Sequence, residues 1–141
     1  MDINCSISLL SHIHSITADF VMQNLKKQGF QDFASSHGNI LFQLSVKDEL
    51  SMGQLAEKIN RDKSTTTVLV RKLEQEGLVY TEADKIDKRS KNIFLTEKGK
   101  QFNQTAFNIS KELLTTFYKG FSEEEKDDFF NYLKRIENNF R

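Results

Sequence analysis

Four consecutive hydroxyl residues, Ser64, Thr65, Thr66 and Thr67, precede Val68, Arg71 and Lys72 and have the spacing of a helix. On a helix beginning near Lys63, about 100° of rotation per residue places Ser64, Thr67, Val68 and Arg71 on one outward stripe, with Thr65 and Lys72 on its flank and Thr66 inward. Threonine is a mediocre helix former, because its branched side chain loses freedom against the preceding turn and its hydroxyl competes for the backbone. Three in a first turn therefore ask for a reason. Hydroxyls that donate or accept, a following arginine and the free N–H groups of a helix start all suit phosphate oxygens and base edges, and a threonine methyl can meet a thymine methyl. The same residues also read, more simply, as caps. Charge favours the first reading. The chain as a whole balances 20 Lys+Arg against 20 Asp+Glu, yet residues 58–100 hold eleven basic and seven acidic side chains, a local +4. Positive charge gathered on one lobe can hold a polyanion through phosphate neutralisation and counterion release, even on a neutral protein.

The elements that must position these groups are mostly helical. Proline is absent and glycine limited to six, which favours long uninterrupted helices. Ile7, Leu9, Leu10, Ile13, Ile16, Phe20, Val21 and Leu25 recur at three- and four-residue spacing, predicting an amphipathic helix to about Gln28 that stops at Lys26, Lys27 and Gly29. Ile40, Leu41, Phe42 and Leu44 mark a short second helix entered through Ser35 and Ser36. Ser51 and Gln54 form a capping-box pattern ahead of Leu55, Ala56 and Ile59. Asn60 and Arg61 then make a tight connection to the hydroxyl-rich helix, with Asp62 as its N-cap and Gly77 as its stop, the pattern of a helix-turn-helix. Residues 78–95 alternate, turn polar and basic, and regain hydrophobics, predicting a two-stranded hairpin too small to stand alone. Thr96 caps a long helix carrying Phe102, Ala106, Ile109, Leu113 and Phe117, and Ser122 with Glu125 opens a last one carrying Phe129, Phe130, Leu133, Ile136 and Phe140.

This order of elements, with "LSMGQLAEKINRDKSTTTVLVRKLEQEGLV" followed by "DKIDKRSKNIFLTEKGKQF", resembles the MarR family of winged-helix transcription regulators. The family's Asp-x-x-Asp-x-Arg core leading into Leu-Thr-x-x-Gly is matched by Asp84, Asp87, Arg89, Leu95, Thr96 and Gly99. The fold class implied is mainly α with a small β-hairpin wing. It comprises a winged helix-turn-helix DNA-binding lobe over residues 34–99 and a helical dimerisation region over residues 1–33 and 100–141 of a single domain. The resemblance implies a homodimer on double-stranded DNA, each subunit presenting its recognition helix to successive major grooves of a pseudo-palindrome while the wing reaches a minor groove. On that transfer Ser64, Thr65, Thr67, Val68, Arg71 and Lys72 face bases or phosphate, Arg89 is the wing arginine held by Asp87, and Lys88 and Lys91 contact phosphates. Leu9, Leu10, Ile13, Phe117, Phe121, Phe129, Phe130, Leu133 and Ile136 would form the dimer interface. Twelve phenylalanines are many for this length and support that interface independently, against the alternative of a small three-helix core within one chain. A small, largely apolar anion would occupy a crevice between the dimer helices and the lobe, with His14, Phe20, Phe42 and Phe107 as lining, and would release a repressor from its operator. Two departures stand out: Lys85 where the family often has proline, and Val68 where it often has a larger polar residue.

Other classes have less behind them. No glycine-rich phosphate loop, nucleophile elbow or metal cluster marks an enzyme, and no cofactor is expected. His12 and His14 are two apart and so on different helix faces, and His37 is the only other histidine. Cys5 is the single cysteine; an N-terminal redox sensor is an alternative, but no basic neighbour in sequence would activate the thiol. A winged helix that binds another protein instead of DNA is a further alternative. No apolar run approaches membrane-spanning length, and the expected location is the cytoplasm.

Overall fold

The computed structural model describes residues 2–30 and 35–141. A single 3₁₀ turn, Ile3–Cys5, leads into α1 (Ser6–Lys27), followed by α2 (Ser35–Val46), β1 (Glu49–Ser51), α3 (Met52–Ile59) and α4 (Lys63–Gln75). The chain continues through β2 (Val79–Ala83), β3 (Lys91–Leu95), α5 (Glu97–Phe117) and α6 (Glu123–Asn138). The expected boundary between the first helical region and the lobe, at residues 33 and 34, lies outside the described residues.

Local chemistry sets these boundaries. Ser51 and Gln54 form a reciprocal capping box on α3, and Ser122 and Glu125 do the same on α6. Asn60 closes α3 in the left-handed region at φ 55°, which lets the chain turn into α4 within Asn60, Arg61 and Asp62. Gly77, at φ 74°, closes α4 the same way, and the Leu78 N–H reaches back to the Leu73 carbonyl at 2.9 Å.

The sheet has three antiparallel strands in the order β1-β3-β2, which corrects the two-stranded hairpin expected from the sequence. β1 is only three residues long, too short to show a period; it exists because Leu50 pairs with Ile93 and faces the core. β2 and β3 pair from Val79 with Leu95 to Ala83 with Lys91. Ile40, Leu41, Leu44, Leu55, Val70, Leu73, Leu78 and Ile93 fill the centre, each at most 1% exposed. α2, α3, α4 and the sheet thus enclose one core, on which Phe102 and Ile109 of α5 close. α1 packs along α5 and buries only Leu25; α6 buries nothing. Among the described residues no helix is long and apolar enough to cross a membrane.

Candidate nucleic-acid interface

α4 begins on Asp62, whose Oδ1 accepts the Thr65 N–H at 2.7 Å. That bond, then the Thr65 hydroxyl, holds the Asp62 carboxyl below its ordinary value of 3.8. The helix start is therefore less open to phosphate than its sequence suggests, because a carboxylate already occupies the Thr65 N–H. The threonines divide their labour. Thr66 is fully buried and its hydroxyl donates to the Asp62 carbonyl at 2.8 Å, while Thr67 makes the same bond to the Lys63 carbonyl, also at 2.8 Å, from the outer face. With its proton donated inward, Thr67 offers a methyl and an oxygen that can accept. Ser64, Thr65, Val68 and Arg71 are exposed on the expected outward surface. Lys72 is half-buried on the flank, and its charge acts on His37. Burial first, then Lys72, hold the His37 imidazole below its ordinary 6.5.

The wing turn is built on Asp84. Its Oδ1 accepts the N–H groups of Ile86 at 2.8 Å and Asp87 at 3.1 Å, and its Oδ2 takes the Asn92 amide at 3.1 Å. These donors, Ile86 first, hold the Asp84 carboxyl below 3.8. Asp87 holds Arg89 through the Arg89 backbone N–H at 3.1 Å, which leaves the guanidinium clear of that carboxylate. A carboxylate thus supports the backbone of the turn that carries Lys88 and Arg89, both exposed.

Between α4 and the wing runs a groove of about 300 Å³. Lys63, Thr67, Arg71 and the acidic Glu74 form one side, Arg89, Ser90 and Lys91 the other, with Met52, Gly53, Val70 and Thr81 also lining it. The ion pairs among the described residues all lie between Glu123 and Arg141, so none neutralises a cation of this groove. Sequence reasoning found Thr67, Arg71, Arg89 and Lys91; it did not single out Lys63, Gly53, Thr81, Ser90 or Asn92, whose roles arise only from tertiary placement.

The end of α4 is clamped to the start of α5. The Thr96 hydroxyl donates to the Gly77 carbonyl at 2.6 Å and accepts the Gly99 N–H at 3.1 Å, while Lys98 Nζ donates to the Glu76 carbonyl at 2.9 Å. A Cβ at Gly99 would overlap the Leu78 carbonyl oxygen, so this close approach of α5 to the strand requires glycine. The Leu-Thr-x-x-Gly pattern is in this way the joint between the hydroxyl-bearing helix and the long helix behind it.

Two apolar hollows lie away from this surface. His14, Phe42 and Phe107 line one of about 860 Å³ between α1, α2 and α5, together with Val21, Met22, Leu25, Phe102 and Ala106. Phe20 does not join them, a correction to the expected crevice: six positions beyond His14, at about 100° each, it faces another side of α1. It lies instead in a groove of about 460 Å³ with Ile13, Phe117, Phe121 and Phe129. Leu9, Leu10, Phe121, Phe130 and Ile136 are exposed and Ile13, Phe117, Phe129 and Leu133 half-buried, so these residues do not form a closed core within one chain. Cys5 is exposed and its thiol donates to Asp2 Oδ2 at 3.6 Å, next to a carboxylate rather than the cation that would activate a sensor thiol.

Comparison with known proteins fits this geometry. A model of the MarR family matches residues 34–91. The HTH-type transcriptional regulator SarZ of Staphylococcus haemolyticus is 32% identical over 102 residues, covering 72% of this chain and 68% of that one. Among solved structures, S. aureus MepR in complex with DNA is 26% identical and superposes with a TM-score of 0.77 over 95% of this chain and 97% of its own. A MarR transcriptional regulator from Methanosarcina mazei Go1 is 25% identical, with a TM-score of 0.72 over 94% of this chain and 93% of its own. Members of this group are DNA-binding transcriptional regulators and not enzymes. By family model, relatives and architecture together, the chain belongs to the MarR family of winged-helix transcriptional regulators.

Proposed function

We propose that the protein is a homodimeric repressor that reads a pseudo-palindromic operator in the cytoplasm. Residues 34–99 do the reading and residues 1–33 and 100–141 hold the two copies together. The observation that carries the DNA-reading part is the groove between α4 and the wing, where Lys63 and Arg71 on one wall and Arg89 and Lys91 on the other outnumber its one acidic residue, Glu74, and make no ion pair among the described residues. Its two cationic walls suit a single phosphate ridge, leaving Ser64, Thr65, Thr67 and Val68 to face base edges in the major groove and Lys88 to meet the backbone, with Lys72 at the edge of the contact. Asp87 contributes by shaping the turn.

Support for the dimer comes from the uncovered apolar surface of α1, the end of α5, and α6. A patch of that kind on a soluble chain needs a partner, and a second copy offers a matching one. Leu9, Leu10, Ile13, Phe117, Phe121, Phe129, Phe130, Leu133 and Ile136 make up this face. Two copies would present two α4 helices to half-sites one turn of DNA apart, about 34–36 Å. Repression follows from occupying DNA that polymerase must use.

The hollow lined by His14, Phe42 and Phe107 suits release by a small apolar ligand. Among its described lining residues there is no Lys or Arg, so an anionic ligand would have to rely on His14 and the polar groups of Ser45, Asn103 and Ser110. A ligand there touches α1, α2 and α5 at once, and would shift the balance between dimer geometries if it bound one better than the other.

The test is selection of genomic fragments on the purified protein, followed by salt titration on the best fragment. Enrichment of an inverted repeat, with affinity falling log-linearly with salt, is the expected result. Arg89→Ala should weaken binding and lower the salt slope by about one unit. Featureless retention by a folded, ligand-free protein would favour a winged helix that binds protein instead.

A further inference from the structure

Ile86 is the most exposed large hydrophobic side chain among the described residues, 97% open to solvent at the tip of the wing. Its neighbours in the turn, Lys85, Asp87, Lys88 and Arg89, are all charged and exposed. The turn does not require an isoleucine. Asp84 holds this position only through the backbone N–H, at 2.8 Å, a bond any residue but proline would supply. A branched aliphatic group left open on a charged tip, with only its backbone tied to the turn, adds nothing to the chain's own core.

Its place follows from the groove described above. Lys63 and Arg71 on one wall and Arg89 and Lys91 on the other bracket a groove that suits one phosphate ridge. On a duplex that ridge separates the two grooves, so when α4 lies in the major groove, whatever projects beyond the wing meets the minor groove, about 6 Å wide. Resting on the proposed DNA-reading role, we infer that Ile86 enters the minor groove beside the half-site and makes this regulator favour A·T pairs there.

The preference has a physical cause. In the minor groove A·T and T·A show only acceptors, whereas G·C adds the guanine N2 amino donor. An aliphatic side chain against that amino group displaces its water and offers no acceptor, leaving a donor unsatisfied. Against A·T no donor is stranded, and the narrower groove brings its sugar walls to the side chain. Ile86 carries no charge, so its contribution adds nothing to counterion release and should be separable from that of Arg89 by salt.

The experiment uses the full-length protein and the operator recovered by selection, with the base pairs under the wing changed to A·T, G·C or inosine·C. Inosine keeps the major-groove face of guanine but lacks the N2 amino group. The expected affinities are equal for A·T and inosine·C and roughly fivefold or more weaker for G·C, the low end of what one base pair contributes. Ile86→Ser should erase that difference while leaving the salt slope unchanged, and Ile86→Val should retain it. No dependence on these pairs, or a difference that survives Ile86→Ser, overturns the inference while log-linear salt dependence leaves DNA reading intact. Absence of any salt-dependent DNA binding overturns both.

Discussion

The lobe and the tail of this chain solve opposite problems. Around α4, side chains such as Leu55, Leu73, Leu78 and Ile93 are entirely buried, while the cations outside them make no ion pair among the described residues. Along α6 nothing is buried, and its ion pairs are local, Lys126 with Glu123 and Lys134 and Arg141 with Glu137, while Glu124, Asp127 and Asp128 leave the helix acidic. The lobe is packed in its apolar interior and open in its positive charge; the tail is acidic in its last helix and open in its apolar packing. Each opening fits one kind of partner, a polyanion for the first and another apolar face for the second.

The sharpest way to break the contrast is inside the lobe. Leu73 is fully buried between α4 and the rest of the core, so Leu73→Ala should cost about 2–5 kcal/mol, the range for a leucine truncation that leaves a cavity. Chemical denaturation of the monomeric state would measure it. A loss well under about 1 kcal/mol would mean that the core around α4 collapses to fill the space, and the lobe would not be the rigid half of the comparison.

On the tail the same logic predicts a different readout. Phe129 is half-buried and its ring meets Phe117 at 6.0 Å and Tyr118 at 6.3 Å, beside the open groove. Phe129→Asp should raise the dimer dissociation constant about 30-fold or more, equivalent to about 2 kcal/mol for a central aromatic contact, and leave unfolding of the lobe unmoved. Sedimentation equilibrium tests the first part and lobe denaturation the second. Association that withstands the aspartate would remove this face from the dimer.

How far the sequence foretold this contrast depends on the range of the interactions. The α4 face was legible because helical arithmetic and the Asp62 cap act within one or two turns, and the capping boxes at Ser51 and Ser122 appeared with both of their bonds. β1 was not legible, since three residues carry no period and its pairing partner lies more than forty positions away, as Leu50 does from Ile93. The groove was half legible: Thr67 and Arg71 share a helix, but Gly53, Thr81 and Ser90 reach it from separate elements. Phe20 was misplaced even though the same rotation rule would have separated it from His14. Gly99 was visible as a motif, while its reason, the backbone oxygen of Leu78, emerged only from packing.

A smaller test uses two adjacent threonines that make the same bond, Thr66 within the core and Thr67 beside the groove. Thr66→Val keeps the volume of a fully buried side chain but removes its bond to the Asp62 carbonyl, and should cost about 1 kcal/mol while leaving DNA affinity nearly unchanged. Thr67→Val removes the equivalent bond to the Lys63 carbonyl where water can replace it. Its effect on stability should be slight, and its effect on DNA affinity the larger of the two, because the lost oxygen borders the cationic groove. The reverse assignment, affinity lost at position 66 and stability at 67, would mean that α4 is rotated from the face described.

The mildest perturbation is the loss of one carboxylate's charge, that of Asp84, which should reach the wing while sparing the tail's association. Asp84 is ionised more readily in the folded chain than its ordinary value of 3.8, because the Ile86 and Asp87 N–H groups and the Asn92 amide bond to the carboxylate. A lowered folded-state value means that the stabilisation is fully present above 3.8 and declines as pH falls through the folded value, where the proton finally binds. Protection of the Ile86 and Asp87 amides, taken against their intrinsic exchange rates at each pH, should therefore fall below that point, and Asp84→Asn should show low protection already at neutral pH. Because three donors converge on one small carboxylate, the loosening in Asp84→Asn should stay local to the turn, weakening DNA contact by Lys88 and Arg89 at neutral pH without altering the association measured for the aromatic face.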